Sequence, residues 1–340
     1  MSNSPVIRFG VVGAGRIGKI HAENLALRIP GAQVVAIADP AFDQAQATAE
    51  KLQIARVYCD CQAIMQDADI DAVAICSSTD THAQLIIEAA KHGKHIFCEK
   101  PIAYDLEKID AALKAVEQAG VTLQIGFNRR FDPNFRNVRQ RVIDGDIGEL
   151  HLVRITSRDP APPPVEYVKV SGGMFFDMTI HDFDMARYLT GSEVEEIYTA
   201  AGVMVDPAIG EAGDVDTAVV TLKFANGAIA SIDNSRRAVY GYDQRVEVFG
   251  SGGMAAAFNE TPHRAVYSNG QGVHAAKPLY FFLERYMTSF IAEMEEFVEA
   301  LRSGRQPSVT GIDGRIPVVM AMAATRSYKE NRPVKVCEFE

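Results

Sequence analysis

The chain has 340 residues, of which 47% are hydrophobic and 23% are charged, and its net charge is −10. This length exceeds what one hydrophobic core usually organises, so it predicts two domains. The sequence has no run of about 20 apolar residues that could cross a membrane, and its acidic balance, without a dense lysine or arginine tract, disfavours binding to nucleic acid.

The N-terminal residues and the cysteines indicate where the protein works. Residues 1–5 show neither the basic stretch nor the leucine-rich stretch of a signal peptide. The five cysteines form no Cys-x-x-Cys pair, which is typical of thiols in a reducing compartment. We therefore expect a cytoplasmic protein without disulfides or zinc.

The first third of the chain alternates short, β-branched strands with helices. Strands are predicted at 6–12, 33–38, 71–76, 95–98 and 122–127, with helices near 16–28, 41–52, 81–92 and 105–119. This alternation predicts a doubly wound parallel sheet, an α/β Rossmann domain, over residues 1–127.

After about residue 148 the pattern changes to longer strands of period two. Strands are predicted at 150–156, 195–205, 217–224, 229–234, 245–249 and 334–336, with helices near 173–189, 283–303 and 313–329. We predict an α+β domain over residues 128–340, built on a large, mainly antiparallel sheet. Its last strand or helix is expected to pack back on the first domain.

The first predicted strand leads directly into a glycine-rich turn that opens a helix, Gly13-Ala14-Gly15-Arg16-Ile17-Gly18. Glycine is needed where the backbone turns sharply, where a pyrophosphate approaches it and where the helix packs on the strand. The N-terminus of the helix supplies N–H groups to the phosphates. We therefore predict a dinucleotide site at Gly13, Gly15, Arg16, Ile17 and Gly18.

A carboxylate, Asp39, ends the second predicted strand, 21 residues after Gly18. An acid at this place can accept hydrogen bonds from the adenosine ribose hydroxyls and disfavours the extra phosphate of NADP. Pro40 follows it, rather than an arginine, so the sequence predicts NAD unless Arg16 or Arg56 reaches the site. The alternative is that Asp39 only caps the next helix.

The fifth predicted strand ends in Glu99-Lys100-Pro101. The carboxyl edge of a doubly wound sheet faces the bound cofactor. Because a partly desolvated lysine beside a positively charged nicotinamide should have a lowered pKa, Lys100 is a candidate to polarise a substrate oxygen or pass a proton. The alternative is a surface lysine paired with Glu99.

The predicted helix near residue 180 is apolar enough to be buried, yet it carries Asp177, His181 and Asp184. Asp177 and His181 are four residues apart and so share a helical face. A carboxylate beside an imidazole raises its basicity, which makes His181 a candidate base for an alcohol proton. The alternatives are a core histidine with Asp177 as its partner, or a metal site that includes Asp184. We expect no metal, since no histidine or cysteine cluster completes a ligand set.

Four segments, 13–18, 99–101, 126–132 and 172–187, together resemble the Gfo/Idh/MocA oxidoreductase family over nearly the whole chain. Within that family, residues 157–164 and 167–173 are most similar to the inositol 2-dehydrogenases. The resemblance implies oxidation of myo-inositol to its 2-keto product, with hydride passing to C4 of the nicotinamide of NAD. It implies His181 as acid/base, Asp177 as its orienting partner, and Lys100 as hydrogen-bond donor and proton relay.

The same resemblance places the loop at 76–82 beside the cofactor, although this loop departs from the family's commoner Thr-Pro pattern. We expect cofactor contacts from Ser78, Thr79, His82 and Glu99. Three further residues are similar to substrate-wall positions of the family, namely Arg130, Asp159 and Tyr240. The alternatives are a salt bridge between loops for Arg130 and Asp159 and a sheet-surface aromatic for Tyr240.

Members of the family usually pack the open face of the second sheet on another subunit, which implies a homo-tetramer or homo-dimer. The alternative is that the chain's own C-terminal helices cover this face. Two other functions remain open. One is a dehydrogenase of the same family acting on scyllo-inositol, another inositol or an aldose, and the other is a non-catalytic, NAD-bound regulator.

Overall fold

The computed structural model describes residues 6–339, and these residues form two compact units. The first unit runs to Phe131 and also takes in Thr288–Val318, whereas the second comprises Asp132–Met287 and the residues from Val319 onward. A helical stretch from the C-terminal third of the chain thus groups with the N-terminal part. None of the described helices is long and apolar enough to cross a membrane.

The chain up to Phe131 alternates strands and helices, because apolar β-branched runs are separated by helices that each bury one face. The elements are β1 (Ile7–Val12), α1 (Arg16–Leu27), β2 (Ala32–Ala38), α2 (Phe42–Leu52), β3 (Arg56–Tyr58), α3 (Gln62–Gln66), β4 (Ala72–Ile75), α4 (Thr79–Lys91), β5 (His95–Glu99), α5 (Leu106–Ala119) and β6 (Leu123–Gly126). The strand order is β3-β2-β1-β4-β5-β6, and every pairing is parallel. The predicted doubly wound sheet is confirmed.

The remainder of the chain adds eight helices and nine strands within the described residues. They are α6 (Pro133–Ile143), β7 (Leu150–Arg158), α7 (Val165–Val168), α8 (Met174–Asp177), α9 (Thr179–Thr190), β8 (Val194–Gly202), α10 (Pro207–Glu211), β9 (Thr217–Phe224), β10 (Ile229–Ser235), β11 (Asp243–Gly250), β12 (Gly253–Ala257), β13 (Val266–Asn269), β14 (Gly272–Ala275), α11 (Phe282–Arg285), α12 (Met287–Ser303), α13 (Gly311–Glu330) and β15 (Val334–Lys335).

The second unit is built on a seven-stranded sheet of order β12-β11-β7-β10-β9-β8-β15. Only β7 and β10 pair in parallel, and the other neighbours are antiparallel. The predicted, mainly antiparallel sheet is therefore confirmed. Burial alternates along β9, where Ala218, Val220, Leu222 and Phe224 are buried and the residues between them are not. One face of this sheet is thus packed and the other is open.

The core of the first unit lies between the parallel sheet and its helices, one of which is α12 from late in the chain. Phe9 of β1 and Phe97 of β5 each approach Phe297 of α12, with ring centroids 6.1 Å apart. Strand β4 is buried along its whole length, as a central strand covered on both faces must be.

The prediction of one continuous helix at 173–189 is wrong. This segment is two helices, α8 and α9, with Met178 between them. Tertiary contacts hold each segment separately. The N–H of Met174, the first residue of α8, donates to Asp214 Oδ2 (3.0 Å), and the hydroxyl of Thr179, the first residue of α9, donates to Asn234 Oδ1 (2.6 Å). Residue periodicity carries no trace of such contacts.

Candidate active site

The glycine turn after β1 has three different steric environments. Gly13 has a φ of +101°, and a Cβ there would lie 2.6 Å from the carbonyl oxygen of Cys76. A Cβ on Gly18 would lie 2.0 Å from the carbonyl oxygen of Gly13, whereas one on Gly15 would meet no atom within 4 Å. Gly13 and Gly18 are therefore required by the fold. Gly15 instead leaves open space beside the backbone, which suits the close approach of a phosphate.

Helix α1 starts at this open space without a competing group. Gly15 is its N-cap and offers no side chain, and the first turn holds no acidic residue. The N–H groups of a first helical turn have no partner inside the helix, and the helix dipole adds partial positive charge there. The first helical residues, Arg16 and Ile17, thus lie where the sequence predicted an anion site, and the chemistry present fits a dinucleotide pyrophosphate.

Asp39 follows β2 and braces this turn. Its Oδ2 accepts a hydrogen bond from the N–H of Ala14 (2.6 Å), and its Oδ1 accepts one from the N–H of Ala41 (2.8 Å). Ala41 is itself the N-cap of α2, and no side chain caps this helix, so Asp39 holds the turn before α2 and does not play the capping role considered as an alternative. Asp39 stays half-buried. The same carboxylate is therefore held at the strand end where a ribose would lie.

The loop after β4 places Ser78 and Thr79 at the start of α4, and Ser78 is its N-cap. His82 is buried in the first turn of α4. Its Nδ1 lies 2.9 Å from the carbonyl oxygen of Pro101, and its Nε2 lies 3.0 Å from that of Ser77. Burial lowers the pKa of His82, and the hydrogen bonds to these carbonyls oppose that shift. His82 therefore links the loops that follow β4 and β5.

The motif at the end of β5 divides into a buried carboxylate and a more accessible lysine. Glu99 is 9% exposed, and its Oε1 lies 2.7 Å from Nε2 of His21 on α1. Lys100 is half-buried and follows the last residue of the strand. Lys100 therefore stands at the carboxyl edge of the parallel sheet, on the same edge as the glycine turn and Asp39.

Arg130 lies in the short turn after β6, within the first unit. Its Nη2 donates to Asp313 Oδ1 of α13 at 2.9 Å, and both side chains are largely buried. Because Asp313 lies in α13, this ion pair joins the turn to a helix and is not the salt bridge between loops considered as an alternative. A guanidinium fixed in this way still has further N–H donors.

Asp177 ends α8 in the second unit, and its two oxygens accept hydrogen bonds from different elements. Oδ1 accepts from the hydroxyl of Tyr167 (2.9 Å), and Oδ2 accepts from Nη2 of Arg236 (2.9 Å). His181 is half-buried in the first turn of α9. The break at Met178 means that Asp177 and His181 belong to successive helices rather than to one helical face.

Arg236 is a residue that the sequence analysis missed. Its side chain is 4% exposed, and it donates to Asp177 and also, through Nη1, to Asp159 Oδ2 (3.3 Å). Burial alone would lower the pKa of Arg236, but the charges of Asp177 and Asp159 outweigh it and raise the pKa. Arg236 thus brings together a predicted catalytic residue and a predicted substrate residue.

A signal for Arg236 was present in the sequence, in the pair Arg236-Arg237 directly after the polar end of β10. Arg237 is exposed, so only one of the two arginines is used in this way. The period-two burial of β10, in which Ala230, Ile232 and Asn234 are buried, extends to Arg236 and so selects it over Arg237.

Tyr240 lies in a separate network. Its hydroxyl donates to Asp243 Oδ2 (2.6 Å) and accepts from Nη1 of Arg158 (3.1 Å). Burial and the hydrogen bond to Asp243 raise the pKa of Tyr240, although Arg158 opposes the shift. The hydrogen bonds of this hydroxyl therefore tie it to β7 and β11 and not to Asp159 or Asp177.

A glycine turn, a bare helix N-terminus and a strand-end carboxylate on a doubly wound parallel sheet define a dinucleotide-binding protein. Residues 7–127 match the model of the oxidoreductase family with an NAD-binding Rossmann fold, and residues 135–256 match the GFO/IDH/MocA C-terminal domain. The chain belongs to the GFO/IDH/MocA oxidoreductase family. The predicted enzyme class and its NAD cofactor are confirmed at the level of this family.

Two relatives match the chain over nearly its whole length. The myo-inositol 2-dehydrogenase of Thermotoga maritima is 51% identical over 98% of this chain and 99% of the relative. The inositol 2-dehydrogenase of Rhizobium meliloti is 48% identical over 97% of this chain and 99% of the relative.

Solved structures agree with this similarity. A probable dehydrogenase from Thermotoga maritima has a TM-score of 0.96 at 50% identity, covering 98% of this chain and 100% of that chain. The scyllo-inositol dehydrogenase from Lactobacillus casei with bound NAD(H) and scyllo-inositol has a TM-score of 0.92 at 32% identity, covering 98% and 99%.

Proposed function

We propose that this protein oxidises myo-inositol to its 2-keto derivative with NAD as the hydride acceptor. The observation that carries the proposal is the full-length similarity, near half identity, to relatives named for this activity. The side chains required for it, Lys100, Asp177 and His181, are all present. Their presence also argues against a non-catalytic, NAD-bound regulator.

The proposed chemistry assigns one task to each of these side chains. Bound NAD⁺ would accept the hydride from the carbinol carbon. His181 takes the hydroxyl proton as general base. Asp177, held in place by hydrogen bonds from Tyr167 and Arg236, fixes the orientation of the imidazole and favours its protonated form. Lys100 donates a hydrogen bond to the reacting oxygen and so relays the one proton that leaves it, which His181 accepts.

We propose that NAD is preferred over NADP. The carboxylate of Asp39 is held at the end of β2 by two N–H groups, where it would repel a 2′-phosphate. Arg56, which the sequence left as a possible phosphate partner, instead pairs with Asp67. The Asp39→Asn variant removes the charge and keeps an oxygen acceptor for only one of the two N–H groups. This variant should lower kcat/KM for NAD and reduce the ratio of kcat/KM for NAD to kcat/KM for NADP. An unchanged ratio of the two kcat/KM values would contradict this assignment.

Cofactor contacts are proposed for Gly13, Gly15, Arg16, Ile17, Gly18, Asp39, Ser78 and Thr79. His82 and Glu99 are proposed to act beside them by fixing the loops. For the substrate wall, the proposal keeps Arg130, Asp159 and Tyr240. Asp159 has the strongest support of the three, because Arg236 ties it to Asp177.

We propose a division of labour in which residues 1–127 bind the cofactor and residues 128–340 bind the substrate and a second subunit. The protein is proposed to be a cytoplasmic homo-tetramer or homo-dimer. On the open face of the large sheet, Met254, Phe249, Leu152 and Ile229 are paired in one row across β12, β11, β7 and β10. They stay 52%, 44%, 38% and 43% exposed, so none of the described residues covers them, and an exposed apolar row of this kind favours a subunit contact.

A second candidate substrate is scyllo-inositol, which is bound in the Lactobacillus casei structure. The deciding experiment measures NADH formation by the purified protein with myo-inositol, scyllo-inositol, other inositols and aldoses. We expect the highest kcat/KM with myo-inositol. A higher value with scyllo-inositol would select the alternative, and no NADH with any polyol would refute the proposed function.

A further inference from the structure

Three ionisable side chains meet inside the first unit, away from the surface. His21 of α1 and Glu293 of α12 are fully buried, and Glu99 of β5 is nearly so. Nε2 of His21 lies 2.7 Å from Oε1 of Glu99 and 3.9 Å from Oε1 of Glu293. None of the roles assigned so far uses His21 or Glu293.

The surroundings of this cluster are apolar, so its charges need compensation. The His21 ring packs edge-on against Phe97 (4.9 Å) and Phe290 (5.8 Å). Two ionised carboxylates this close, in a medium of low dielectric constant, would repel each other strongly. The cluster must therefore hold a proton on one of them.

The hydrogen bonds indicate which carboxyl group holds the proton. Glu99 accepts from His21, whereas neither oxygen of Glu293 has a hydrogen-bond partner among the residues that the structure describes. Burial, followed by the charge of Glu99, raises the pKa of Glu293 well above its ordinary value. Glu293 is therefore the neutral acid, and Glu99 is the carboxyl group that His21 holds by a hydrogen bond.

The other titratable groups that face the cluster are neutral. They are the buried thiols of Cys76 and Cys98, whose pKa burial raises well above its ordinary value, and the imidazole of His82, whose pKa burial lowers although the charge of Glu99 opposes that shift. Nδ1 of His21 has no hydrogen-bond partner within residues 6–339. We therefore place the ring proton on Nε2, where it is donated to Glu99.

The cluster joins two elements that matter for catalysis. His21 belongs to α1, the helix that opens at the glycine turn, and Glu99 directly precedes Lys100. Gly126, which pairs with Glu99 across β5 and β6, leaves room for the carboxyl group, since a Cβ there would lie 3.0 Å from it. The His21–Glu99 bond thus ties the nucleotide helix to the end of the strand that carries the lysine.

We propose that His21, Glu99 and Glu293 form a buried positioning cluster that fixes Lys100 relative to the nucleotide helix. The proposal rests on the proposed function, because it assumes that Lys100 acts on the substrate. His21 and Glu293 touch neither substrate nor cofactor in this role. They act through Glu99.

The first test compares two substitutions of His21. Leucine fills the space but cannot donate a hydrogen bond to Glu99, whereas the amide N–H of glutamine can replace the Nε2–H of His21 as the donor. We expect His21→Leu to lower kcat by about tenfold or more while the Kd for NADH changes less than about threefold, and His21→Gln to recover most of kcat. His92→Leu, a partly exposed position on α4, is the matched control. Equal kcat values in His21→Leu and the wild type, or no recovery in His21→Gln, would overturn the proposal.

The second test addresses the proton. The infrared band of a buried, protonated carboxylic acid should be present in the wild type and absent in Glu293→Gln, while Glu299→Gln, an exposed position on the same helix, should keep it. Because the folded-state pKa of Glu293 is raised, its contribution to stability is complete below the ordinary glutamate pKa and is lost as the pH rises toward the raised value. Glu293→Gln should therefore gain in Tm relative to the wild type as the pH rises.

The two proposals fail differently. If the wild type forms no NADH with any inositol, the proposed function fails, and the infrared band still reports on the cluster. If the wild type is active but lacks the band, or holds stoichiometric metal at these three residues, the positioning cluster as described here is refuted.

Discussion

Arg236 donates a hydrogen bond to Asp177 across 2.9 Å from a side chain that is only 4% exposed. Burial would lower the pKa of Arg236, but the charges of Asp177 and Asp159 raise it, so the buried guanidinium and the two carboxylates compensate one another. The acid/base pair proposed for catalysis therefore depends on a cation that contributes no proton itself.

The first prediction concerns this cation. Arg236→Gln should lower kcat/KM for myo-inositol by about 10- to 100-fold and destabilise the fold by about 3–5 kcal/mol, because it leaves buried charge uncompensated. Arg236→Lys keeps the charge but cannot donate to both carboxylates as the guanidinium does. Its kcat/KM and its stability should therefore lie between those of the wild type and Arg236→Gln. Steady-state kinetics and thermal unfolding measure both effects. Arg237→Gln, its exposed neighbour, is the control, and equal losses in Arg237→Gln and Arg236→Gln would contradict the role.

The second prediction concerns the proposed reacting groups. Lys100→Ala and His181→Ala should each reduce kcat by about two to four orders of magnitude, because each removes a proton-transfer or hydrogen-bonding group. The Kd for NADH, measured by fluorescence titration, should change less than about threefold. Lys91→Ala and His92→Ala on the outer surface of α4 are matched controls. An active Lys100→Ala or His181→Ala enzyme would exclude that residue from the chemistry.

The first unit could be predicted well because its signals are local. The run from β1 through Gly13 to α1 combines a buried strand, a turn that needs glycine and a helix start within twelve residues. Strand β3 was missed because three residues carry no periodicity. The β13–β14 hairpin was missed because its residues are almost all exposed, so no alternation of apolar and polar residues marks it.

The candidate site was predictable only where residues are neighbours in the sequence. Lys100 follows from its place after β5, and Asp39 from its distance to Gly18. The partners of Arg236 and Glu293 could not be found in this way, because Asp177 and Glu99 lie 59 and 194 residues away in the chain. Contacts over such separations depend on how sheet and helices pack, which the pattern of one segment does not encode.

The third prediction separates binding from folding at the glycine turn. The Cβ of an alanine at position 15 would meet no atom within 4 Å, and the φ of −70° at Gly15 suits alanine. The Tm of Gly15→Ala without cofactor should therefore differ from that of the wild type by less than about 2 °C. The added methyl would occupy the proposed phosphate space, so NAD should bind at least about tenfold more weakly. Gly18→Ala should instead lower the Tm, because its Cβ would clash with the carbonyl of Gly13. Gly270→Ala, also in open space, is the control for alanine itself. Wild-type affinity for NAD in Gly15→Ala would contradict the proposed site.

The fourth prediction tests the open face of the large sheet as a subunit contact. Phe249 lies in the middle of the exposed apolar row, paired with Leu152 on one side and Met254 on the other. Phe249→Lys would place a charge in each copy of a symmetric contact, so burial would leave it uncompensated and the assembly should dissociate. Val273→Lys, a more exposed apolar position (74% against 44% for Phe249) on the β13–β14 hairpin, is the control and should keep the wild-type mass. Sedimentation velocity at several protein concentrations reads out the change. If Phe249→Lys sediments as the wild type does, the subunit contact lies elsewhere, and an apolar row 38–52% exposed then needs a different partner.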